Sequence, residues 1–375
     1  MNFDFSDDAK ALGEQAKKLF ADRAGTARAR AAMAKDAPDF DAGLWAEIAN
    51  LGWTAARVPE AHGGLGLTAE ESCQLAEAAG ASLAVVPLVS TLLATEALLI
   101  AGSDAQQAKY LPGIADGSLI AVVAVNEPGA VNPNALHLQA PATWAPAKGT
   151  LTGIKSPVPD LPGAHLAIVA AAGPDGPSLW LVETSAATVE SVETLDLVRR
   201  HGRLVLNGTP AEPLGDAAAY QSWLDRAAVL LAFEAIGTAS AAMAMTVDYA
   251  KTRVAFGQTI GRYQGVKHKC ADMFIKIELA RAHALHGVAQ IAIGIGSDGA
   301  ELRQAAAAAR VASLDAVSFC AEETVQLHGG IGFTWESDCQ FYYRRARALS
   351  AALGARGWWA DRLVRALEQR NRAAA

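Results

Sequence analysis

The sequence predicts a mainly α-helical protein with a small β domain, barrel or sandwich, in its middle. Three observations carry that prediction. Apolar residues recur at three- and four-residue spacing from Asp7 to about Ser118, as in LWAEIANLGW and ESCQLAEAAG, which is the helical period. From about Leu119 to Pro213 the texture changes to short β-branched or apolar runs (LIAVVAV, HLAIVAAAG, SLWLVE, RLVLNG) punctuated by Gly, Pro and Asn. From about Asp216 the helical period returns in longer stretches, clearest over Asp225 to Tyr249, Gly265 to Ile293 and Asp298 to Leu327. The expected domains are therefore 1–118, 119–215 and 216–375, within the two to three that 375 residues allow at roughly 150 residues each. Between the first helices, the glycines of His62 to Gly66 (HGGLG) require a loop, because each would cost a helix interior about 1 kcal/mol.

Composition narrows the possible functions. A chain that is 51% apolar and only 19% charged buries a large core and is not a disordered polypeptide. Its net charge of −7 argues against nucleic acid as the main partner, since neutralising phosphates needs a basic face. The four cysteines (Cys73, Cys270, Cys320, Cys339) show no Cys-x-x-Cys and no His pair at ligand spacing, so neither a metal centre nor a disulfide framework is expected. The acidic, amphipathic start MNFDFSDDAKALGEQAKKLF has no apolar signal core, so a cytoplasmic location is expected. Ala227 to Met245 is apolar but contains Glu234, and reads as a helix packed among helices rather than a membrane span. Strands and helices do not alternate and no G-x-G-x-x-G follows a strand, which disfavours Rossmann and P-loop sites.

Two segments could carry chemistry. Arg253 to Gln258 closes a long helix, and Gln264 opens the next; an Arg at a helix terminus can fork onto a phosphate while Phe256 covers a flat ring. The plainer reading is a cationic helix end with Phe256 as a core plug. Gln326 to Phe333 (QLHGGIGF) is either an ordinary glycine cap or a backbone able to approach an anion closely.

Together these segments resemble the acyl-CoA dehydrogenase family. The pattern Y-A-x-T-R-x-x-F-G-Q-x-I-G-x-x-Q-x-x-x-H-x-x-A-D-M runs from Tyr249 to Met273, and Q-x-x-G-G-x-G-F from Gln326 to Phe333. Trp45 to Leu67, Tyr110 to Pro112 and Asn126 to Gly129 extend the likeness over the whole chain. The resemblance implies an N-terminal helical domain, a middle β domain and a C-terminal four-helix domain. FAD would lie between the last two, with its adenosine-pyrophosphate end reaching a neighbouring subunit. Arg253 would meet the pyrophosphate, Phe256 would lie against the cofactor, and Gln264, Gln326, Gly329 and Gly330 would complete the groups given across the interface.

The same resemblance implies that this chain lacks a catalytic residue of its own. Where the family places its proton-abstracting Glu, after a Y-R-D-A-K-like helix, the sequence Tyr343 to Gly354 puts Leu353; the alternative position is Val254. Neither side chain can accept a proton. The Glu-Pro-x-x-G-S-D-like loop reads Glu127 to Pro133 (EPGAVNP), Ala355 stands where a Thr is expected, and the strand that would lay Trp and Thr beside the flavin carries Pro157 and Pro159, so that strand is expected to be irregular. The expectation is a non-catalytic subunit of an α2β2 heterotetramer, completing the FAD site of a catalytic paralogue that acts on an acyl-CoA, as in split enzymes for sterol side chains. An electron-transferring flavoprotein would be the acceptor. Two alternatives stand beside it: a homo-oligomeric flavoenzyme with a relocated base, for which Glu234 is the candidate, and a non-enzymatic assembly protein of the same fold. The preferred reading of Glu234 is a buried or interfacial carboxylate paired with a cation, of His328 a structural residue, and of Glu336 and Asp338 surface or interface groups with no catalytic role.

Overall fold

The computed structural model describes residues 4–138, 149–293 and 299–373. Six helices come first: α1 (Asp7–Arg23), α2 (Thr26–Ala32), α3 (Ala42–Asn50), α4 (Ala69–Ser82), α5 (Leu88–Ala101) and α6 (Asp104–Ala115). Their ends follow local chemistry. The Ser6 hydroxyl accepts from the Ala9 amide ahead of Asp7 and Asp8, which favour the positive end of α1, and Ser103 with Gln106 forms a reciprocal capping box on α6. The HGGLG loop follows a single 3-10 turn at Glu60–His62.

Six strands form the middle: β1 (Ala121–Ala124), β2 (Gly149–Pro159), β3 (Leu166–Gly173), β4 (Gly176–Glu183), β5 (Thr188–Val192) and β6 (His201–Gly215). The order is β1-β3-β4-β6-β2 with β5 also on β6; β1 and β3 are parallel and the other pairs antiparallel. β6 is long enough to pair with β5 over His201–Val205, with β2 from His201 to Ala211 and with β4 from Glu212 to its end, which joins the two halves of the sheet. β2 runs through Pro157 and ends on Pro159, and the expected irregularity is a shift of register between Lys155 and Val158.

The remaining helices are α7 (Ala217–Thr252), α8 (Gln264–Ile293), α9 (Ala300–His328), α10 (Cys339–Ala351) and α11 (Arg356–Ala373), with a short hairpin, β7 (Val254–Ala255) and β8 (Gln258–Thr259), between α7 and α8. The expected start of α9 at Asp298 lies outside the described residues. At about 54 Å, α7 is the axis of the fold, packed against α4, α8 and α9. It is long and apolar enough to cross a membrane by length and composition, yet most of its apolar stretch is buried inside the protein. Glycine makes the α4–α7 crossing possible: a Cβ on Gly80 would stand 2.2 Å from the Glu234 carbonyl oxygen, and one on Gly237 2.0 Å from that of Glu77. One hydrophobic core runs continuously through the helical and β portions.

Candidate functional site

Two places matter, an exposed corner and a small, partly open pocket. The corner is built where α7 and α9 end together. Tyr249 stacks on His328 at 4.2 Å, and its hydroxyl donates to the His328 carbonyl (3.4 Å). One turn beyond Tyr249 comes Arg253, then the hairpin tip Phe256–Gly257; just beyond His328 come Gly329 and Gly330.

The backbone here is unusual. Phe256 has φ 51° and Gly257 φ 80°, the two left-handed residues of a tight hairpin, a geometry in which Asn-Gly is the common pair. A phenylalanine at positive φ costs about 1–2 kcal/mol, and this one is 97% exposed, so burial within its own chain does not offset the strain. Phe256 is therefore not a core plug. Val254, Ile331, Phe333 and Trp335 are also exposed, as are Phe274, Ile275 and Leu279 on α8.

Arg253, Gln264, Gln326, Gly329 and Gly330 are exposed as well. Among the described residues no hydrogen-bond or ion-pair partner is found for the Arg253 side chain. A Cβ on Gly329 or Gly330 would meet nothing within 4 Å, and Gly329 (φ 65°, ψ −145°) occupies backbone space that other residues avoid. An exposed guanidinium and an open glycine backbone on adjoining helix ends are groups of the kind that meet a pyrophosphate. The residues that the resemblance assigns to the cofactor are thus exposed on this chain.

The second place, a pocket partly open to solvent, lies between all three parts of the fold. It holds about 70 Å³ and is walled by Val89 and Leu93 of α5, Pro157 and Pro159 of β2, Trp223 and Leu231 of α7, and Leu349 and Leu353 at the end of α10. Leu353 and Pro157, nearly 200 residues apart in sequence, meet here. Val254, the other position considered for a base, sits instead on the exposed hairpin. Leu353 is held in a left-handed turn (φ 54°) by two neighbours. The Trp359 indole donates to its carbonyl (2.8 Å), and the Arg310 guanidinium donates to the carbonyls of Leu349 (2.6 Å) and Ala352 (2.7 Å). Among the described residues no carboxylate forms an ion pair with Arg310; burial pulls its pKa down to about 10, and its contact with the negative end of α10 makes the buried charge tolerable.

Charged groups close the other side of the cavity. Arg199 Nη2 lies 2.6 Å from Glu234 Oε1 and Arg199 Nε 3.8 Å from Asp160, while Arg345 binds Asp196 and stands 3.5 Å from the same Glu234 oxygen. Burial works to raise the Asp196 carboxyl, but Arg345 overcomes it and holds that group below its ordinary range. Asp160, with the weaker contact to Arg199, stays raised by burial, and burial likewise lowers His201.

Glu234 is thus a wholly buried carboxylate paired with two cations. His328 hydrogen-bonds the Thr324 carbonyl through Nδ1 (2.7 Å). Arg30 pairs with Asp338 (2.7 Å) and also holds the carbonyls of Trp335 and Glu336, tying α2 to the start of α10. Lys155 and Glu127 form a buried pair; burial lowers the ammonium to about 8 against the pull of Glu127, which also accepts from the Leu138 amide (3.2 Å). Sequence reasoning singled out neither Arg199, Asp160 and Asp196 nor the charge of Arg345. The usable signal was Arg345 itself, which stands where the Y-R-D-A-K-like pattern has an acidic residue. Among the described residues no cluster of His, Cys, Asp and Glu is placed to hold a metal.

Several known proteins are similar to the chain in sequence and fold. The model of the acyl-CoA dehydrogenase N-terminal domain matches residues 6–118, and that of the C-terminal domain matches residues 217–367. The chain is 34% identical over 346 residues to the acyl-CoA dehydrogenase IpdE2 of Mycobacterium tuberculosis, covering 91% of this chain and 92% of that protein. Among solved structures, a variant of the Tcur3481–Tcur3483 steroid ACAD superposes with a TM-score of 0.89 at 33% identity, over 98% of this chain and 99% of the other. The ChsE4–ChsE5 complex of M. tuberculosis gives 0.88 at 25% identity, over the same shares.

Proposed function

The chain belongs to the acyl-CoA dehydrogenase family, and from that membership we propose that it is the non-catalytic subunit of a heteromeric enzyme. It completes the FAD site of a catalytic paralogue that oxidises an acyl-CoA thioester to the 2,3-enoyl-CoA. The observation that carries this reading is the outward display of Arg253, Phe256, Gln264, Gln326, Gly329 and Gly330, with Phe256 strained and 97% exposed on its own chain. Such groups gain a role only when another surface covers them.

When bound, FAD accepts the hydride leaving the acyl β-carbon. This chain's part is to hold the cofactor: Arg253 neutralises and orients the pyrophosphate, the Gly329–Gly330 backbone gives it room, and Phe256 excludes water beside it. Removal of the α-proton is assigned to the paralogue, because Leu353 faces this chain's own cavity where a carboxylate would be required. Both superposed structures are named for pairs of proteins, and one of them for a steroid enzyme; by analogy we propose an α2β2 assembly, a bulky sterol-derived acyl group and an electron-transferring flavoprotein as acceptor.

A homo-oligomeric enzyme using Glu234 as base is disfavoured by the pairing of that carboxylate with Arg199 and Arg345. The test is to purify the chain alone and with its paralogue. Activity and one FAD per pair in the mixture, with neither in the isolated chain, is expected. Stoichiometric FAD and acyl-CoA oxidation by the isolated chain would overturn the proposal.

A further inference from the structure

The cavity beside Leu353 holds about 70 Å³, whereas pockets for cofactor-sized ligands hold roughly 300–1,000 Å³. A few waters fit that space; a three-ring flavin or an acyl thioester does not. Charge closes off the rest, and it comes from separate parts of the fold. Asp196 and Arg199 lie on the connection between β5 and β6, Glu234 on α7 and Arg345 on α10. Behind them Asp160, at the end of β2, accepts from Ser90 of α5 (2.5 Å) and faces Arg199.

We propose that the Arg199–Glu234–Arg345–Asp196 cluster is a plug: it closes this chain's own pocket to both flavin ring and thioester, and serves as the joint between the lobes. The proposal rests on the reading above, in which the chain's contribution to chemistry is its exposed corner. The physical reason is desolvation. Arg345, Asp196 and Glu234 are each at most 2% exposed, so a ligand entering here must separate charges that have no water to return to. The aliphatic walls opposite cannot compensate a stranded ion. Position 345 is the residue at which this sequence reverses the charge of the helix pattern it otherwise follows, and that reversal creates the pairing with Asp196 and Glu234.

The test uses the complex with its paralogue, saturated with FAD and desalted. Equilibrium dialysis against radiolabelled octanoyl-CoA should give at most one thioester per pair of chains, and lumiflavin should not bind beyond the FAD already present. The double variant Arg345→Ala/Asp196→Ala should gain a lumiflavin site at least tenfold tighter than anything in the wild-type complex. Two thioesters per pair, or lumiflavin bound by the wild type, would overturn the plug, as would a folded double variant with no gain. If that variant does not fold, the wild-type counts decide alone. The FAD content of the same sample separates the two ideas. Two thioesters with one FAD per pair removes the plug and leaves the partner reading standing, whereas one thioester at most, with the paralogue alone holding its full FAD and activity, does the reverse.

Discussion

Replacing Glu234 by Ala removes a buried carboxylate shared by Arg199 and Arg345. Breaking a buried ion pair costs about 3–5 kcal/mol, because the abandoned charge stays out of water. Here each arginine keeps a second carboxylate, Asp160 at 3.8 Å from Arg199 and Asp196 against Arg345, which places the expected loss near the lower end, about 3 kcal/mol. Unfolding entropy of about 2.1 cal/mol/K per residue over 375 residues is about 0.8 kcal/mol/K, so the melting temperature should fall by about 4 °C. Urea unfolding supplies the free energy and calorimetry the midpoint. A compensated triple variant, Glu234→Leu with Arg199→Leu and Arg345→Met, should recover most of the loss, as apolar replacements of buried ion clusters generally do. A change within 0.5 kcal/mol for Glu234→Ala would refute the ion-network account. Loss of dehydrogenase activity from the isolated, FAD-loaded chain at unchanged stability would instead identify Glu234 as a relocated base.

Other outcomes follow from single contacts. Phe256→Gly should stabilise the isolated chain by about 1 kcal/mol, by relieving a left-handed backbone, while weakening flavin retention in the complex; opposite signs in the two assays distinguish an interface residue from a core one. Gly80→Ala should cost about 1–3 kcal/mol by forcing α4 away from α7, read by denaturant unfolding. His201 is buried with its pKa below the ordinary 6.5, so below pH 6.5 the unfolded chain binds the extra proton. Stability should therefore decline as the solution is acidified from pH 7 toward 5, and His201→Gln should flatten that slope.

The order of helices, strands and helices was legible because hydrophobic period is a local property, and the exposed corner because its residues lie in two short, patterned runs. Strand β5 and helix α11 were not singled out. β5 is a short, largely exposed edge strand (TVESV), and α11 (RGWWADRLVRALEQRNRA) is predominantly polar, with few apolar positions to mark its period. The charged cluster was illegible for a different reason. Asp160, Asp196, Arg199, Glu234 and Arg345 come from distant points of the chain and meet only after the sheet and the bundle have packed, so no window of sequence contains them. Arg345 could have been noticed as a charge reversal, but its partners could not. Proline in β2 suggested irregularity, and the tertiary pairing with β6 absorbed it as a bulge rather than a break.

The most direct test of the central claim is the flavin content of the complex carrying Arg253→Ala in this chain. Arg253 has no partner among the described residues of its own chain, so the substitution should leave the isolated chain's stability within about 0.5 kcal/mol. FAD retained after gel filtration should fall several-fold in the complex, with activity falling in proportion and returning as excess FAD is added. Unchanged flavin occupancy and activity would contradict the account.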